Sequence, residues 1–284
     1  KSGINNPFEK IKRAYEYSSV ETAKEALSQI GADILTNGLP DDLSPFIIGI
    51  TGYGNVSSGV QEMLSLLPTK EILPEELLNF SQLPNSKNII YKVVFYEKDM
   101  AQRKDGTPFN LNDYYSHPEN YESIFQQYLP YLNLLIHASY WDKRYPRVVE
   151  EQFIIDNWQK PNFRLLGIGD ISCDINGGVE ITKIATEIYT PVLVYNPRSK
   201  EYTIDLYSDG IPVMAVDILP AELPLDASQY FSKCLLPLVE AMLKANWNKK
   251  FEKLQLPNPL KKAVILYKGQ FTPDYKFMEN FISD

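Results

Sequence analysis

Cysteine and histidine are scarce in this chain: two of each in 284 residues, Cys173 and Cys234, His117 and His137. Two cysteines far apart in sequence exclude a disulfide-stapled scaffold and fit a reducing compartment. Neither pair has the spacing of a metal site, so no metal is expected. Also missing is any apolar run long enough to span a bilayer, and the N-terminal residues lack the order of a signal peptide. An excess of positive charge is absent too. The 28 Lys and Arg stand against 36 Asp and Glu, a net charge of −8. That balance argues against nucleic acid or an anionic membrane as the main partner. It leaves room for an anionic cofactor, because a phosphate site is local. No internal repeat, low-complexity tract or clean linker interrupts the chain, and it opens on Lys1 rather than Met, as a fragment or processed form does.

What is present is a length that holds one large or two ordinary domains and a composition, 44% hydrophobic and 23% charged, that suits a globular protein. The chain is organised around one stretch, Ile47-Ile48-Gly49-Ile50-Thr51-Gly52-Tyr53-Gly54-Asn55-Val56-Ser57-Ser58-Gly59. Phe46 to Ile50 is an apolar, β-branched run, as a strand buried on both faces requires. Gly52 and Gly54 break it, and apolar residues then recur at helical spacing from Val56 to Leu67. A helix opening at such a turn aims unpaired N–H groups and its positive dipole end at one spot. A pyrophosphate fits there, provided no side chain blocks it. The third glycine position of G-x-G-x-x-G holds Ser57, with Gly59 two residues on. An ordinary glycine-rich turn satisfies the same pattern, so the motif alone leaves both readings open.

Along the chain, Pro7 to Ile30 reads as helix in two pieces broken near Ser18-Ser19, with Ser19 capping the second. Strands are expected at Glu71–Leu73, Asn88–Tyr96, Leu132–Ala138, Leu165–Ile171 and Ile211–Ile218. Val192–Tyr195 and Tyr202–Tyr207 suit a hairpin. Helices are expected at Tyr121–Tyr128, Ala227–Ala245 and Asp274–Ile282, and a strand at Ala263–Tyr267. Lys98 to Glu119, polar and broken by Gly106, Pro108 and Pro118, reads as a long loop. Strands alternating with helices specify an α/β fold with a doubly wound, mostly parallel sheet. The expected organisation is connector helices over residues 1–40, a dinucleotide-binding domain over 41–225, and a C-terminal helix and tail over 226–284.

In such a sheet the ligand lies beyond the carboxyl ends of the strands. After the second strand, where an NAD enzyme places an acid on the adenine ribose, stand Leu73 and Pro74. That lack favours NADP, with Lys70 or Lys98 as the candidate reader of its phosphate. After Ala138 comes Ser139-Tyr140-Trp141-Asp142-Lys143-Arg144-Tyr145-Pro146-Arg147. Trp141 and Arg147 there suit a planar, carboxylate-bearing substrate, since guanidinium binds carboxylate bidentately. A solvated basic loop with Trp141 on the core is the competing reading. After Ile171, Asp170 and Asp174 flank Ser172 and a diglycine leads to Glu180. These acids either position a nicotinamide ring or an amine, or form an Asx-type turn. His137, inside an apolar run, reads as a core histidine rather than a catalyst.

Four motifs then combine: G-x-G-N-V-S-x-G-x-Q-E (Gly52 to Glu62), Y-W-x-x-x-x-P-R (Tyr140 to Arg147), D-I-S-x-D-x-x-G-G-x-E (Asp170 to Glu180) and L-P-A-x-L-P (Leu219 to Pro224). In this order and spacing they resemble the lysine–ketoglutarate reductase half of the bifunctional α-aminoadipic semialdehyde synthases. More distantly the chain is similar to saccharopine dehydrogenases, alanine dehydrogenase and the NAD-binding subunit of transhydrogenase. The likeness runs from about Asn6 to the C-terminus.

The resemblance implies a Rossmann-type domain and an NADPH-dependent condensation of lysine with 2-oxoglutarate to saccharopine, with NAD as the other cofactor to weigh. It implies that Asp174 is catalytic, and that Ile171, Ser172, Leu134, Leu135, Asp217 and Leu219 join Gly52, Gly54, Asn55, Val56, Ser57, Gly59 and Leu73 around the cofactor. It further implies lysine degradation, in the cytoplasm of a bacterium or the mitochondrial matrix of a eukaryote; a homo-oligomer is compatible with it. The alternatives are another amino-acid dehydrogenase of the alanine dehydrogenase type and a nucleotide-binding or regulatory module without turnover. Two departures stand out. Ile218 replaces an Asn that usually precedes the last L-P. The enzymes of the family also carry an N-terminal domain whose lysine and histidine act as acid and base, and this sequence begins after it, at the connecting helix.

Overall fold

The computed structural model describes residues 6–282. The chain divides between Leu223 and Pro224 into two compact units. In the first, the elements in order are helix α1 (Val20–Asn37), strand β1 (Phe46–Thr51), helix α2 (Asn55–Leu64), strand β2 (Thr69–Glu71), helix α3 (Pro74–Leu78) and strand β3 (Ile90–Phe95). Helix α4 (Glu97–Met100), strand β4 (Ala101–Arg103), helix α5 (Leu111–Ser116) and strand β5 (Tyr121–Ser123) follow. Then come β6 (Leu134–His137), α6 (Glu151–Asn157), β7 (Gly167–Asp170), β8 (Val192–Asn196), β9 (Glu201–Thr203) and β10 (Ile211–Met214).

Eight strands make one sheet in the order β2-β3-β1-β6-β7-β10-β8-β9. Every pairing from β2 to β10 is parallel, and β8 and β9 add an antiparallel edge. This is the expected α/β sheet, mostly parallel. Its period-2 alternation sends Phe46, Ile48 and Ile50 to one face, against Ile30 and Ile34 of α1. Ile47 goes to the other face with Tyr91, Val93, Phe95 and Leu135. All six residues of β1 are buried, and each large apolar side chain so buried stabilises by about 1.5–3 kcal/mol. The glycine turn therefore hangs from the best-anchored strand of the unit.

One feature of the order differs from the expectation at the adenine end. The second strand in sequence, β2, is the sheet edge, and β3 lies between it and β1. Locally the chain departs from several expectations as well. Pro7 to Tyr17 makes two 3-10 turns, Pro7–Lys10 and Ala14–Glu16, around an extended Ile11 and Arg13 rather than a helix. Ser19 does cap α1, in a reciprocal pair with Thr22, and α1 runs on to Asn37 before Gly38 ends it at φ 75°. The expected loop from Lys98 to Glu119 instead holds α4, β4 and α5. Strands β4 and β5 pair antiparallel, and Tyr121 is a strand residue rather than the start of a helix. Tyr114 and Tyr121 are buried in a cluster of their own with Phe109 and Tyr145, while Arg103 is held by Asp105 and Asp113 at 3.0 and 2.8 Å.

The second unit opens with helix α7 (Pro224–Lys244), amphipathic in pattern with Pro237 inside it and no buried residue. A short helix α8 (Asn258–Ala263) precedes a hairpin of β11 (Leu266–Tyr267) and β12 (Gln270–Phe271). Tyr267 donates to the carbonyls of Trp247 and Lys249 at 2.5 and 2.8 Å. The expected final helix is a 3-10 segment, Pro273–Phe281. Among the described residues no helix is long and apolar enough to cross a membrane, and no group of three or more His, Cys, Asp or Glu is placed to hold a metal ion.

Candidate active site

The carboxyl ends of β1, β3, β6 and β7 converge on the glycine turn. Gly52 leaves β1 at φ 83°, a conformation that favours glycine. A Cβ there would lie 3.0 Å from the Cβ of Ser139 and 3.1 Å from the carbonyl of Ala138. The turn thus passes tightly over the end of β6. Its amide donates to the carbonyl of Phe95 at 3.0 Å, which ties it to the end of β3. Gly54 is the N-cap of α2 and offers no side-chain cap, so the first amides of the helix face outward without a competing side chain. Asn55 and Val56 are exposed at this end. Ser57 is fully buried and its hydroxyl accepts from Gln61 at 3.2 Å. Its side chain occupies the inward position of the turn. Gly59 is exposed with open space around it.

Beside the turn lies a cavity of about 370 Å3 lined by Val56, Ala138, Ser139, Tyr140, Trp141, Ile171, Ser172 and Asp174. The structure therefore brings Val56, Trp141, Ile171, Ser172 and Asp174, singled out in three separate stretches of sequence, to one hollow. Ser172 donates to the carbonyl of Ser139 at 2.8 Å, joining the two strand ends that form its floor. Asp174 is exposed at the rim. Its carbonyl accepts from Gly177 at 2.8 Å, closing a tight turn.

Other candidates fall elsewhere. Leu135 is fully buried in the core and Leu134 stands at the start of β6; the end of that strand that meets the cavity is Ala138 and Ser139. Leu73 is exposed beyond the edge strand β2, two strands from β1. Asp217 is exposed and Leu219 half-buried after β10, and neither lines the cavity. Arg147 is paired with Glu180 and donates to the carbonyl of Asn176 at 3.1 Å. Arg144 grips Asp142 at 2.7 Å. Both guanidiniums of this loop are thus engaged, Arg144 within the loop itself and Arg147 in tying it to the turn after β7. Trp141 donates to the carbonyl of Pro146 at 3.1 Å and remains a wall of the cavity.

Beneath the cavity is a buried polar layer. Thr51 accepts from the amide of Ala138 at 3.2 Å and from the hydroxyl of Ser139 at 3.1 Å. Its own proton is then directed to Nδ1 of His137, 2.8 Å away. Full burial pushes the imidazole pKa down to about 4, so it is neutral, and with Nδ1 accepting, the proton sits on Nε2. That nitrogen is buried without a protein partner among the described residues. Gly178 lies directly over it: a Cβ on Gly178 would come within 2.7 Å of His137 Nε2 and 3.2 Å of Trp141. Asp170, 1% exposed, accepts from Thr182 at 2.7 Å and from the amide of Cys173 at 3.3 Å. Burial raises its pKa to about 6. Asp170 and His137 thus anchor the loops, and the acid at the cavity is Asp174.

No family profile matches the sequence. Among curated proteins, alpha-aminoadipic semialdehyde synthase of Arabidopsis thaliana is 36% identical over 288 residues, covering 97% of this chain and 26% of that protein. The mitochondrial alpha-aminoadipic semialdehyde synthase of Mus musculus is 28% identical over 291 residues, 98% of this chain and 31% of that protein. The chain spans about a quarter to a third of the length of these relatives. Among solved structures, an L-alanine dehydrogenase aligns over 97% of this chain and 64% of its own, with 16% identity and a TM-score of 0.47. The resemblance read from the four motifs therefore extends over nearly the whole chain.

Proposed function

We propose that this chain is the dinucleotide-binding part of an oxidoreductase acting on CH–NH bonds, in which lysine and 2-oxoglutarate are reductively joined to saccharopine. The observation that carries the reading is the 370 Å3 cavity beside an uncapped helix N-terminus, with Asp174 at its rim. The residues fit a dinucleotide on physical grounds. Glycines at 52 and 54 leave backbone where a pyrophosphate must approach, and the amides at the start of α2 aim at it. The cavity between Val56, Trp141 and Ile171 offers apolar walls for a flat ring, and the hydroxyls of Ser139 and Ser172 line it.

When bound, a reduced nicotinamide supplies the hydride that adds to the imine carbon. The chemistry before that step is condensation: the lysine ε-nitrogen adds to the ketone carbon, and water leaves as the C=N bond forms. The carboxylate of Asp174 stabilises the positive charge of the protonated imine at the rim. The Arg147–Glu180 pair fixes the loop that carries Trp141 against the loop that carries Asp174, so both walls keep their spacing. Family resemblance implies NADPH as reductant; the group that decides between the two dinucleotides lies at the adenine ribose.

The reading is tested on the full-length protein, by mass spectrometry of products from lysine, 2-oxoglutarate and NADH or NADPH, with ammonia and pyruvate as the competing pair. Saccharopine is the expected product. Alanine in its place would reassign the enzyme to an alanine dehydrogenase type of reaction, and no dinucleotide binding by calorimetry would remove the reading altogether.

A further inference from the structure

In a doubly wound sheet the adenine ribose lies beside the end of the strand that neighbours the glycine-turn strand. In this chain that neighbour is β3, paired with β1 from Phe46–Ile90 to Thr51–Phe95, and not β2. The residues that follow β3 are Tyr96 and Glu97. Tyr96 stacks on Tyr53 of the glycine turn, ring centroids 4.8 Å apart. Glu97 and Gly52 share the lining of a second cavity of about 100 Å3. The Glu97 Oε1 accepts from the hydroxyl of Tyr115 at 2.6 Å and from that of Tyr53 at 3.3 Å. Among the described residues no hydrogen bond reaches its Oε2.

A carboxylate held in this way keeps lone pairs for the 2′ and 3′ hydroxyls of a ribose, which are donors. A 2′-phosphate brings about −1.5 to −2 charges to the same place and is repelled. Two of the cations nearby in sequence are already engaged. Lys92 of β3 is held by Glu71 at 2.7 Å and Gln61 at 2.8 Å, and Arg103 is taken by Asp105 and Asp113. Lys98 is exposed.

We infer that Glu97 reads the adenine ribose and makes this chain select NAD(H) over NADP(H), the reverse of the preference drawn from Leu73-Pro74 and from the resemblance. The inference rests on the dinucleotide reading above. It is tested by fluorescence titration of the full-length protein with NADH and NADPH, comparing the parent with Glu97→Gln, Glu97→Arg and Lys98→Ala, each checked for an unchanged thermal transition. The parent is expected to bind NADH at least about tenfold tighter than NADPH, Glu97→Gln to narrow that ratio severalfold, and Glu97→Arg to invert it. Tighter NADPH binding in the parent, weakened by Lys98→Ala, would give the site to Lys98 and overturn the inference. A ratio indifferent to Glu97→Gln and Glu97→Arg would do the same. Binding of neither dinucleotide would instead remove the reading on which the inference stands, and the inference with it.

Discussion

At Gly54 space and charge separate cleanly. A Cβ on Gly52 meets Ser139 and Ala138, on backbone at φ 83°, whereas a Cβ on Gly54 meets nothing within 4 Å. Gly54→Asp should therefore fold, and as an N-cap it should raise stability by about a few tenths of a kcal/mol. Its carboxylate would occupy the place of the pyrophosphate, so dinucleotide affinity should fall at least about tenfold, or 1.4 kcal/mol. Calorimetry beside a thermal melt checks both halves, and unchanged affinity would sink the phosphate assignment. A second residue-scale test uses His137 and Asp170, which face each other in register across β6 and β7. Burial raises Asp170 from 3.8 to about 6, so the folded state holds the extra proton in that range and stability rises as pH falls through it. Burial lowers His137 from 6.5 to about 4, so the unfolded chain holds the extra proton and stability falls as pH drops from 6.5. Between pH 6 and 4 the two oppose one another. Asp170→Asn keeps an acceptor for Thr182 but cannot titrate, so its stability should fall more steeply with acid than the parent's, by up to about 1.4 kcal/mol per pH unit. Urea unfolding at pH 7, 6 and 5 measures this, and parallel profiles for the two proteins would refute it.

The turn after β7 is the element on which the chemistry depends. Gly177 lets it close, since a Cβ there would lie 2.4 Å from that of Asp174, and Gly178 lets it cross over His137. Asp174 is left at the cavity rim. In the full-length enzyme Asp174→Ala should lower kcat at least about tenfold, little more than 1.4 kcal/mol of transition-state stabilisation, with dinucleotide Kd within about twofold. Near-normal turnover would reduce Asp174 to a turn residue. This element was legible in the sequence because its acids, diglycine and strand are contiguous, as was β1 through its unbroken β-branched run. Ser19 was legible because a cap is a local bond. The segment from Lys98 to Glu119 was not. Its glycine and prolines read as loop, while its order comes from Tyr114, Tyr121, Phe109 and Tyr145, which meet across distant positions. Leu135 was placed at a ligand by motif matching, whereas the pleat turns it into the core. Glu97 was missed for a related reason: which parallel strand lies next to β1 is set by packing between strands, and no local pattern states it. The signal available was an acid two residues after the strand ending at Phe95.

At the scale of the molecule, the cavity can be asked whether it holds a complete set of groups for the reaction. Condensation needs a base to free the lysine amine and an acid to protonate the departing hydroxyl. Of the residues that line the cavity, only Asp174 and Tyr140 titrate. Tyr140 donates to Asp142 at 3.1 Å, a bond that raises its pKa and keeps its proton in place. His137 lies below the floor, neutral and covered by Gly178, out of reach of a substrate. No lysine lines the cavity, and the arginines of the neighbouring loop are held by Asp142 and Glu180. Asp174 is then the one group at the cavity left free to carry protons for both the amine and the ketone, where the condensation calls for an acid and a base. The 284-residue chain on its own is therefore expected to bind dinucleotide but to oxidise no NADH or NADPH above background when given lysine and 2-oxoglutarate. The measurement is absorbance at the nicotinamide band together with product mass, run on the chain and on the full-length protein side by side. Saccharopine made by the chain alone would show that the acid and base are already in this fold, and would turn attention back to Asp174 and the serines around it.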